Sequence, residues 1–525
     1  MKIKISGFFY GIMSLVISQV LIKIFGMIYS LYITNKTGFG DEGNAIYMSG
    51  YQIYALLLTV SSIGVPNAIS KIISEKKSIK DFFNIERTFK ISIFLFGIIG
   101  FICCISLFFG AEYISNKILQ IPEAKLSLMV LSPAIFFVSI SSVIRGFCNG
   151  ENQINITAKS QFIEQILKTI FTIIFVELVS RISDNNTVAM AAIANFATTM
   201  ATFFSLIYIT YRYIKIKNKI LNLNDANYPK ERIHTIIRKI LKIAVPITIS
   251  AILGSLGKNI DSVTIVRILK DIIGENEAII KYGILSSKID IIIALPLSFN
   301  LAISTALIPE ISKYKAINDI DGVVGKIKFS ILLTTIIGIP ASFGIFSYSK
   351  QIFNLLYPNA NQGYELLRIA AIGIIFSLLT QTINGVLQGL GENKIPLVVS
   401  IVGVVIKVFS NIILIPINGI YEKGAVMGNI FSSITSFIIV YISLKRKINL
   451  KLSIIKIMLK PIICSFAMCI FSLNIYKLLI NNNFNHNICT VNSIIIAVII
   501  YVVSIFVTKM INKKQIFETL DKTNG

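Results

Sequence analysis

Nine ionisable residues interrupt stretches of this sequence that are otherwise apolar: Lys23, Glu164, Lys168, Lys258, Asp261, Lys288, Asp290, Arg368 and Lys407. A charge at the centre of a bilayer costs about 2.5–3.5 kcal/mol even on the lenient insertion scale, so such residues face a bundle interior or a water-filled cavity. Gln161, Glu164, Gln165 and Lys168 are spaced i, i+3, i+4 and i+7, which places all four on one helix face. Ser400, Gly403, Lys407 and Asn411 repeat that pattern more weakly, while Gln19 with Lys23, and Lys258 with Asp261, bring charge from two further segments. The chemistry this supports is a cationic cavity for an anionic head group such as phosphate or pyrophosphate, for which lysine is a good point-charge partner. Lys23, Lys168, Lys258, Lys288 and Lys407 would bind, with Gln19, Gln161, Glu164, Gln165, Asp261, Asp290 and Asn411 in support. A competing reading pairs Glu164 with Lys168 and Lys258 with Asp261 as fasteners between helices. Lys288 and Asp290 are two apart on different faces and do not form a simple pair, and either acid, Asp261 or Asp290, could hold a coupling cation or proton. Arg368, one turn from Glu365 near a helix end, is expected to snorkel.

The elements that position these residues are membrane helices. Of 525 residues, 54% are hydrophobic and 14% charged, against roughly 25% charged in an average soluble domain. The mean hydropathy is +0.76. Apolar runs long enough to cross a hydrocarbon core of about 30 Å recur throughout. They predict an all-α integral membrane protein of about 14 transmembrane helices, near 8–33, 45–74, 89–112, 127–147, 157–180, 187–211, 241–266, 281–309, 327–346, 366–389, 395–416, 423–443, 455–477 and 490–509. The first run lacks a small-residue cleavage site and is read as an uncleaved helix. An even number of spans puts both ends on one side, and most Lys and Arg residues collect in loops on that side, which makes it cytoplasmic. The net charge of +24 is therefore an orientation signal, and no nucleic-acid partner is expected.

Other chemistries find no seat. The six cysteines, Cys103, Cys104, Cys148, Cys464, Cys469 and Cys489, form no C-x-x-C pair, so neither a disulfide framework nor a metal site is expected. His234 and His486 fall in loops without partners for base catalysis or metal ligation. No P-loop, H-E-x-x-H or G-x-S-x-G motif occurs. An integral-membrane polymerase or glycosyltransferase would need a carboxylate or histidine cluster in a large external loop, and none is present; the expectation is a transporter, not an enzyme.

A weak internal echo suggests duplication. Gly146 and Gly150 align with Gly385 and Gly389, Lys168 with Lys407, and the run from Pro66 to Lys71 with that from Pro309 to Lys313. The implied organisation is an N-lobe of six helices (1–211), a basic cytoplasmic linker (212–240), a C-lobe of six helices (241–445), and two C-terminal helices with a tail (446–525). Parallel repeats of this kind typify transporters that rock two lobes about a central site. Gly38, Gly40 and Gly43 would allow a tight re-entry between the first two helices, and Gly64 beside Pro66 would form a hinge.

The run from Thr37 through Gly38, Gly40 and Gly43 to Tyr47, then Tyr51 to Lys71 with Gly64 and Pro66, resembles the first two helices of a known family. So do Arg145-Gly-Phe, Gln161-Phe-Ile-Glu-Gln165, Gln388-Gly-Leu-Gly and Gly424-Ala. The family is the stage V sporulation protein B and polysaccharide-transporter branch of the multidrug/oligosaccharidyl-lipid/polysaccharide (MOP) exporter superfamily, similar to lipid II flippases of the MviN/MurJ type. The resemblance implies a V-shaped, MATE-like bundle that flips an undecaprenyl-pyrophosphate-linked saccharide across the bacterial cytoplasmic membrane by alternating access. It also implies C-terminal helices that form a groove for the polyprenyl tail. No cofactor is implied beyond coupling to the membrane potential or a monovalent cation. The implied partners are the lipid-linked substrate, membrane lipids, and cell-wall or spore-cortex synthesis proteins. Where arginines dominate the family cavity, lysines stand here. Two alternatives remain: a cation-coupled drug antiporter using Asp261, Asp290 and Glu164, and a non-transporting scaffold of a wall-synthesis complex.

Overall fold

The computed structural model describes residues 7–62, 64–79, 81–151, 153–221, 229–316, 318–392, 394–448 and 454–510. Every regular element among them is helical. In chain order these are α1 (Gly7–Asn35), α2 (Gly40–Ser62), α3 (Gly64–Ser78), α4 (Phe82–Tyr113) continued by a π turn (Ile114–Leu119), α5 (Ala124–Gly150), α6 (Ile154–Ile182), α7 (Thr187–Leu221), α8 (Ile233–Ile273), α9 (Glu275–Gly283) with a second π turn (Ile284–Ile289), α10 (Asp290–Ala316), α11 (Ile320–Leu356), α12 (Tyr364–Gly389), α13 (Lys394–Leu414), α14 (Glu422–Ile448), α15 (Ile454–Asn481) and α16 (His486–Val507). Taking α2 with α3, α4 with its π turn, and α9 with its π turn and α10, these elements fall one group on each of the fourteen expected spans. Ten of the described helices are long and apolar enough to cross a membrane.

Local chemistry sets several ends. Asp81 accepts from the Asn84 backbone N–H at 3.1 Å to cap α4, and Asp319 does the same for α11 through Gly322 at 2.8 Å. Gly38 and Gly40 adopt positive φ values of 77° and 52° in the turn between α1 and α2, as their lack of a Cβ permits. Gly43 does something else: a Cβ there would stand 2.7 Å from the Phe39 ring, so its bareness lets Phe39 fold onto the helix. The basic stretch expected as a linker is largely helical, since α7 continues to Leu221 and α8 begins at Ile233. Lysine, arginine and isoleucine carry no helix-breaking geometry, and the helices run on past their apolar spans.

The chain forms two compact units, residues 1–291 with 411–425, and residues 292–410 with 426–525. In the first, Val65, Ile69 and Ile73 of α3, Phe89 and Phe96 of α4, Val143 and Phe147 of α5, Ile209 of α7 and Ile240 of α8 build one buried core. In the second, Ile311, Ile327, Ile331, Leu379, Ile383, Val386 and Val440 do the same for α10, α11, α12 and α14. There α15 and α16 lie against α11 through Ile336, Met468, Ala497 and Tyr501. A buried polar knot also ties α10, α11 and α12. The Asn300 amide donates to the Leu378 carbonyl at 3.0 Å and to Gln381 Oε1 at 2.9 Å, and its oxygen accepts from Thr334 at 2.9 Å. Away from water these bonds leave no competing arrangement of equal energy, so they hold register.

The glycine echo has a structural basis inside each unit. A Cβ on Gly146 of α5 would stand 2.9 Å from Pro66 O, and one on Gly150 would stand 2.9 Å from Ser70 O and 2.8 Å from Ile73 Cβ. On α12, Gly385 meets Ser304 O at 2.7 Å, and Gly389 meets Ile308 O at 2.9 Å and Ile311 Cβ at 2.8 Å. Lys77 Nζ then donates to Glu151 O at 3.3 Å, and Lys315 Nζ to Leu390 O at 2.5 Å, each closing the C-terminal end of its glycine helix where orphan carbonyls favour a cation. The counterparts are thus Pro66 with Ser304, Ser70 with Ile308, Ile73 with Ile311 and Lys77 with Lys315. The equivalence of Pro66 with Pro309 is out of step by about one helical turn.

Candidate substrate-binding site

Lys168 lies near the middle of α6 and is only 4% exposed. Its Nζ stands over three tyrosine rings, at 4.1 Å from the centroid of Tyr51, 4.8 Å from Tyr29 and 6.0 Å from Tyr47. Tyr47, Tyr51 and Tyr54 recur at i, i+4 and i+7 on one face of α2, and Tyr29 reaches in from α1. The rings brace one another: Tyr47 and Tyr51 are stacked at 5.9 Å, and Tyr29 meets Tyr47 edge-on at 6.5 Å. The lysine helix is pinned to α1 by Thr169, which donates to the Phe25 carbonyl at 3.2 Å, and by the Phe25–Phe162 ring contact at 5.9 Å. Each desolvated cation–π contact is worth about 0.5–2 kcal/mol, so the cage offsets a large part of the roughly 2.5–3.5 kcal/mol cost of a charge at this depth.

The acid of the same helix face is engaged elsewhere. Glu164 does not pair with Lys168; its Oε2 accepts from Arg145 Nη2 of α5 at 2.7 Å. Arg145 is itself buried and also donates to Ser160 Oγ at 3.0 Å and Ser205 Oγ at 3.2 Å. Helical spacing alone favours Glu164 with Lys168 at i, i+4, but the planar guanidinium from a neighbouring helix offers a better-directed partner. Among the described residues no carboxylate forms an ion pair with Lys168. Gln161 and Gln165 are half-buried beside it on α6.

The remaining expected residues are spread over both units. Lys288 in the second π turn is fully buried, with its Nζ 2.6 Å from Asp41 Oδ1 at the start of α2, and Asp290 follows in the first turn of α10. A Cβ on Gly283 would collide with the Asp41 carbonyl, so the end of α9 meets the start of α2 through backbone. Nearby, Lys281 pairs with Glu422 at 3.0 Å. Asp261 is buried and accepts from Asn411 Nδ2 at 3.0 Å, and the same amide donates to Thr264 Oγ1 at 2.9 Å. Lys407 is buried on α13 in the second unit, while Lys23 is exposed on α1. The side chains of Gln19 and Lys258 lie outside the described residues, and with them the expected Lys258–Asp261 pair. Gly64 opens α3, where a Cβ would collide with the Ala244 carbonyl of α8, and Pro66 follows in the first helical turn, where its missing N–H is not needed. Arg368 is exposed and lies over Phe346 at 4.7 Å, as a snorkelling side chain would. His234 and His486 are both exposed. The tyrosines were missed because their contacts to Lys168 cross three helices; the regular spacing of Tyr47, Tyr51 and Tyr54 was the available signal.

Residues 8–315 match the polysaccharide biosynthesis protein family. The chain belongs to that family. Residues 246–413 also match the MatE family, and both place this family member within the MOP superfamily. It is 26% identical over 468 residues to the lipid II flippase MurJ of Bacillus subtilis (strain 168), covering 83% of this chain and 82% of that protein. It is 21% identical over 402 residues to stage V sporulation protein B of the same organism, covering 76% of each. Among solved structures, an inward closed conformation of lipid II flippase MurJ superposes with a TM-score of 0.70 at 16% identity, over 93% of this chain and 97% of that one. The family member is a multi-pass membrane protein of the MOP transporter fold, and MurJ among these relatives is a flippase by name.

Proposed function

We propose that this protein flips an undecaprenyl-pyrophosphate-linked saccharide, a lipid II-like precursor or a polysaccharide unit, across the bacterial cytoplasmic membrane, with both termini inside. The observation that carries this is Lys168: a cation buried at mid-span, held by ring faces and by no described carboxylate, suits a passing oxyanion. The relatives' names supply the lipid-linked cargo. Lys23 and Lys258 would join Lys168 as cations, whereas Lys288 is already paired with Asp41; Gly64 and Pro66 serve as the hinge, and alternating access requires that the cargo bind the two states differently. Asp261, with Asn411 and Thr264, offers oxygen donors for a monovalent coupling cation, and the membrane potential acting on the lysines is the other source of drive. The C-terminal helices α15 and α16 would accept the tail, and wall or spore-cortex synthesis proteins would be the neighbours.

The test is depletion of the protein with measurement of lipid-linked precursors. Accumulation on the inner leaflet, rescued by the wild type and not by Lys168→Ala at equal membrane abundance, is the expected result. Normal precursor pools together with altered susceptibility to cationic drugs would overturn this reading in favour of an antiporter.

A further inference from the structure

Lys168 has a feature that transport of any lipid does not by itself require. Among the described residues its ammonium is held by tyrosines and not by a carboxylate. A ring face attracts a cation through its quadrupole and carries no net charge of its own, so the Tyr47 and Tyr51 faces hold the ammonium without cancelling it, while the Tyr29 hydroxyl accepts a hydrogen bond from it. A carboxylate in the same place would cancel the charge and would invite organic cations instead. Arg145 keeps that from happening by engaging Glu164, one turn from Lys168, at 2.7 Å. Within the cage Tyr51 is distinct. Its ring is nearest to Nζ, at 4.1 Å, and it is half-buried whereas Tyr47 and Tyr54 are fully enclosed. Stacking on Tyr47 and a tilted contact with Tyr54 at 5.7 Å fix its orientation.

We propose that Tyr51 is a specificity-determining positioning residue: its ring holds Lys168 charged and aimed as an oxyanion subsite that admits phosphorylated cargo and rejects organic cations. The lipid-linked nature of the cargo rests on the function proposed above, whereas the subsite itself needs only a phosphate or pyrophosphate oxyanion.

The chain contains no tryptophan, so Tyr51→Trp in the full-length protein, reconstituted in nanodiscs, gives a single fluorescent reporter that keeps a ring face over Lys168. It is titrated with inorganic pyrophosphate, with a polyprenyl pyrophosphate and with tetraphenylphosphonium. Both pyrophosphates are expected to shift its emission saturably, at least about tenfold more tightly than the cation, and the shift is expected to vanish when Lys168→Met is added. By calorimetry on variants without the reporter, Tyr51→Phe should bind inorganic pyrophosphate within about twofold of wild type and Tyr51→Leu about tenfold more weakly. Should Tyr51→Leu not fold, the comparison of Tyr51→Trp with and without Lys168→Met decides alone. Equal binding by Tyr51→Phe and Tyr51→Leu, or emission changes indifferent to Lys168→Met, would overturn the role of Tyr51. Binding of inorganic pyrophosphate but not of the polyprenyl form supports the subsite and overturns the lipid-linked cargo. Preference for the cation overturns both.

Discussion

Replacing Arg145 with methionine tests how the protein keeps the half-buried Glu164 of α6 away from Lys168. In the wild type Glu164 accepts from Arg145 Nη2 at 2.7 Å. Without the guanidinium, the carboxylate's natural alternative is Lys168, at i, i+4 on the same helix. Two unit charges about 4 Å apart attract by about 4 kcal/mol at an effective dielectric of about 20. Glu164 is 27% exposed, so solvent screening and side-chain ordering reduce the net gain to about 1–2 kcal/mol. That is about a tenfold loss of affinity for any anion that needs the same ammonium. The assay is the tryptophan titration with pyrophosphate, run on Arg145→Met and on Arg145→Met/Glu164→Gln. The single change should weaken binding about tenfold, and the added Glu164→Gln, which leaves no acid to capture Lys168, should restore most of it. Wild-type affinity in folded Arg145→Met, or no recovery in the double variant, would refute the reasoning.

Further outcomes follow from other contacts. Valine at Gly146 or Gly385 should lower the thermal midpoint of the solubilised protein by an amount corresponding to about 1–3 kcal/mol, because side chains there collide with Pro66 or Ser304; alanine at Gly344, where nothing stands within 4 Å, should not. Glu231 is partly desolvated, which raises its pKa, but bonds from Lys76 and Lys239 outweigh this and hold it below the ordinary glutamate range. A depressed folded value contributes stability above the unfolded pKa of about 4.3 that is lost as pH falls through the folded one. The thermal midpoint of the solubilised protein should therefore fall as pH drops below that unfolded value, and Glu231→Gln should flatten that dependence. All six cysteines are free, so reductant should leave the mass unchanged. Cys103 and Cys104, half-buried on α4, should react with a membrane-permeant maleimide before the buried Cys148, Cys464, Cys469 and Cys489 do.

Hydropathy was enough to place the helices, because every span must satisfy its own backbone in lipid. Register between helices was not legible. Lys71 and Lys313 look like counterparts by local spelling, yet the bonds to the glycine helices assign Lys77 and Lys315, since a one-turn shift leaves the same face pattern on a helix. The two π turns were equally hidden: they add a residue without changing composition, so Lys288 reads as unrelated to anything nearby until the fold brings Asp41 to it. The site was half legible. Lys168 stands out as a charge in an apolar run, but its cage is made by residues more than a hundred positions away, and the Glu164–Lys168 pairing that one reading offers gives way to Arg145 because spacing along one helix says nothing about the next.

The bare glycine faces carry a mechanical consequence. At Gly146 and Gly150, and again at Gly385 and Gly389, backbone carbonyls of the facing helix occupy the room a Cβ would need. Sliding either helix by one residue would drive Phe147 or Val386 into that space. Each pair is therefore a keyed joint with no axial play, and a lysine closes its end. Whatever strain a transport cycle imposes, these joints transmit it as stiff struts, and the compliance has to be supplied by other segments of the chain.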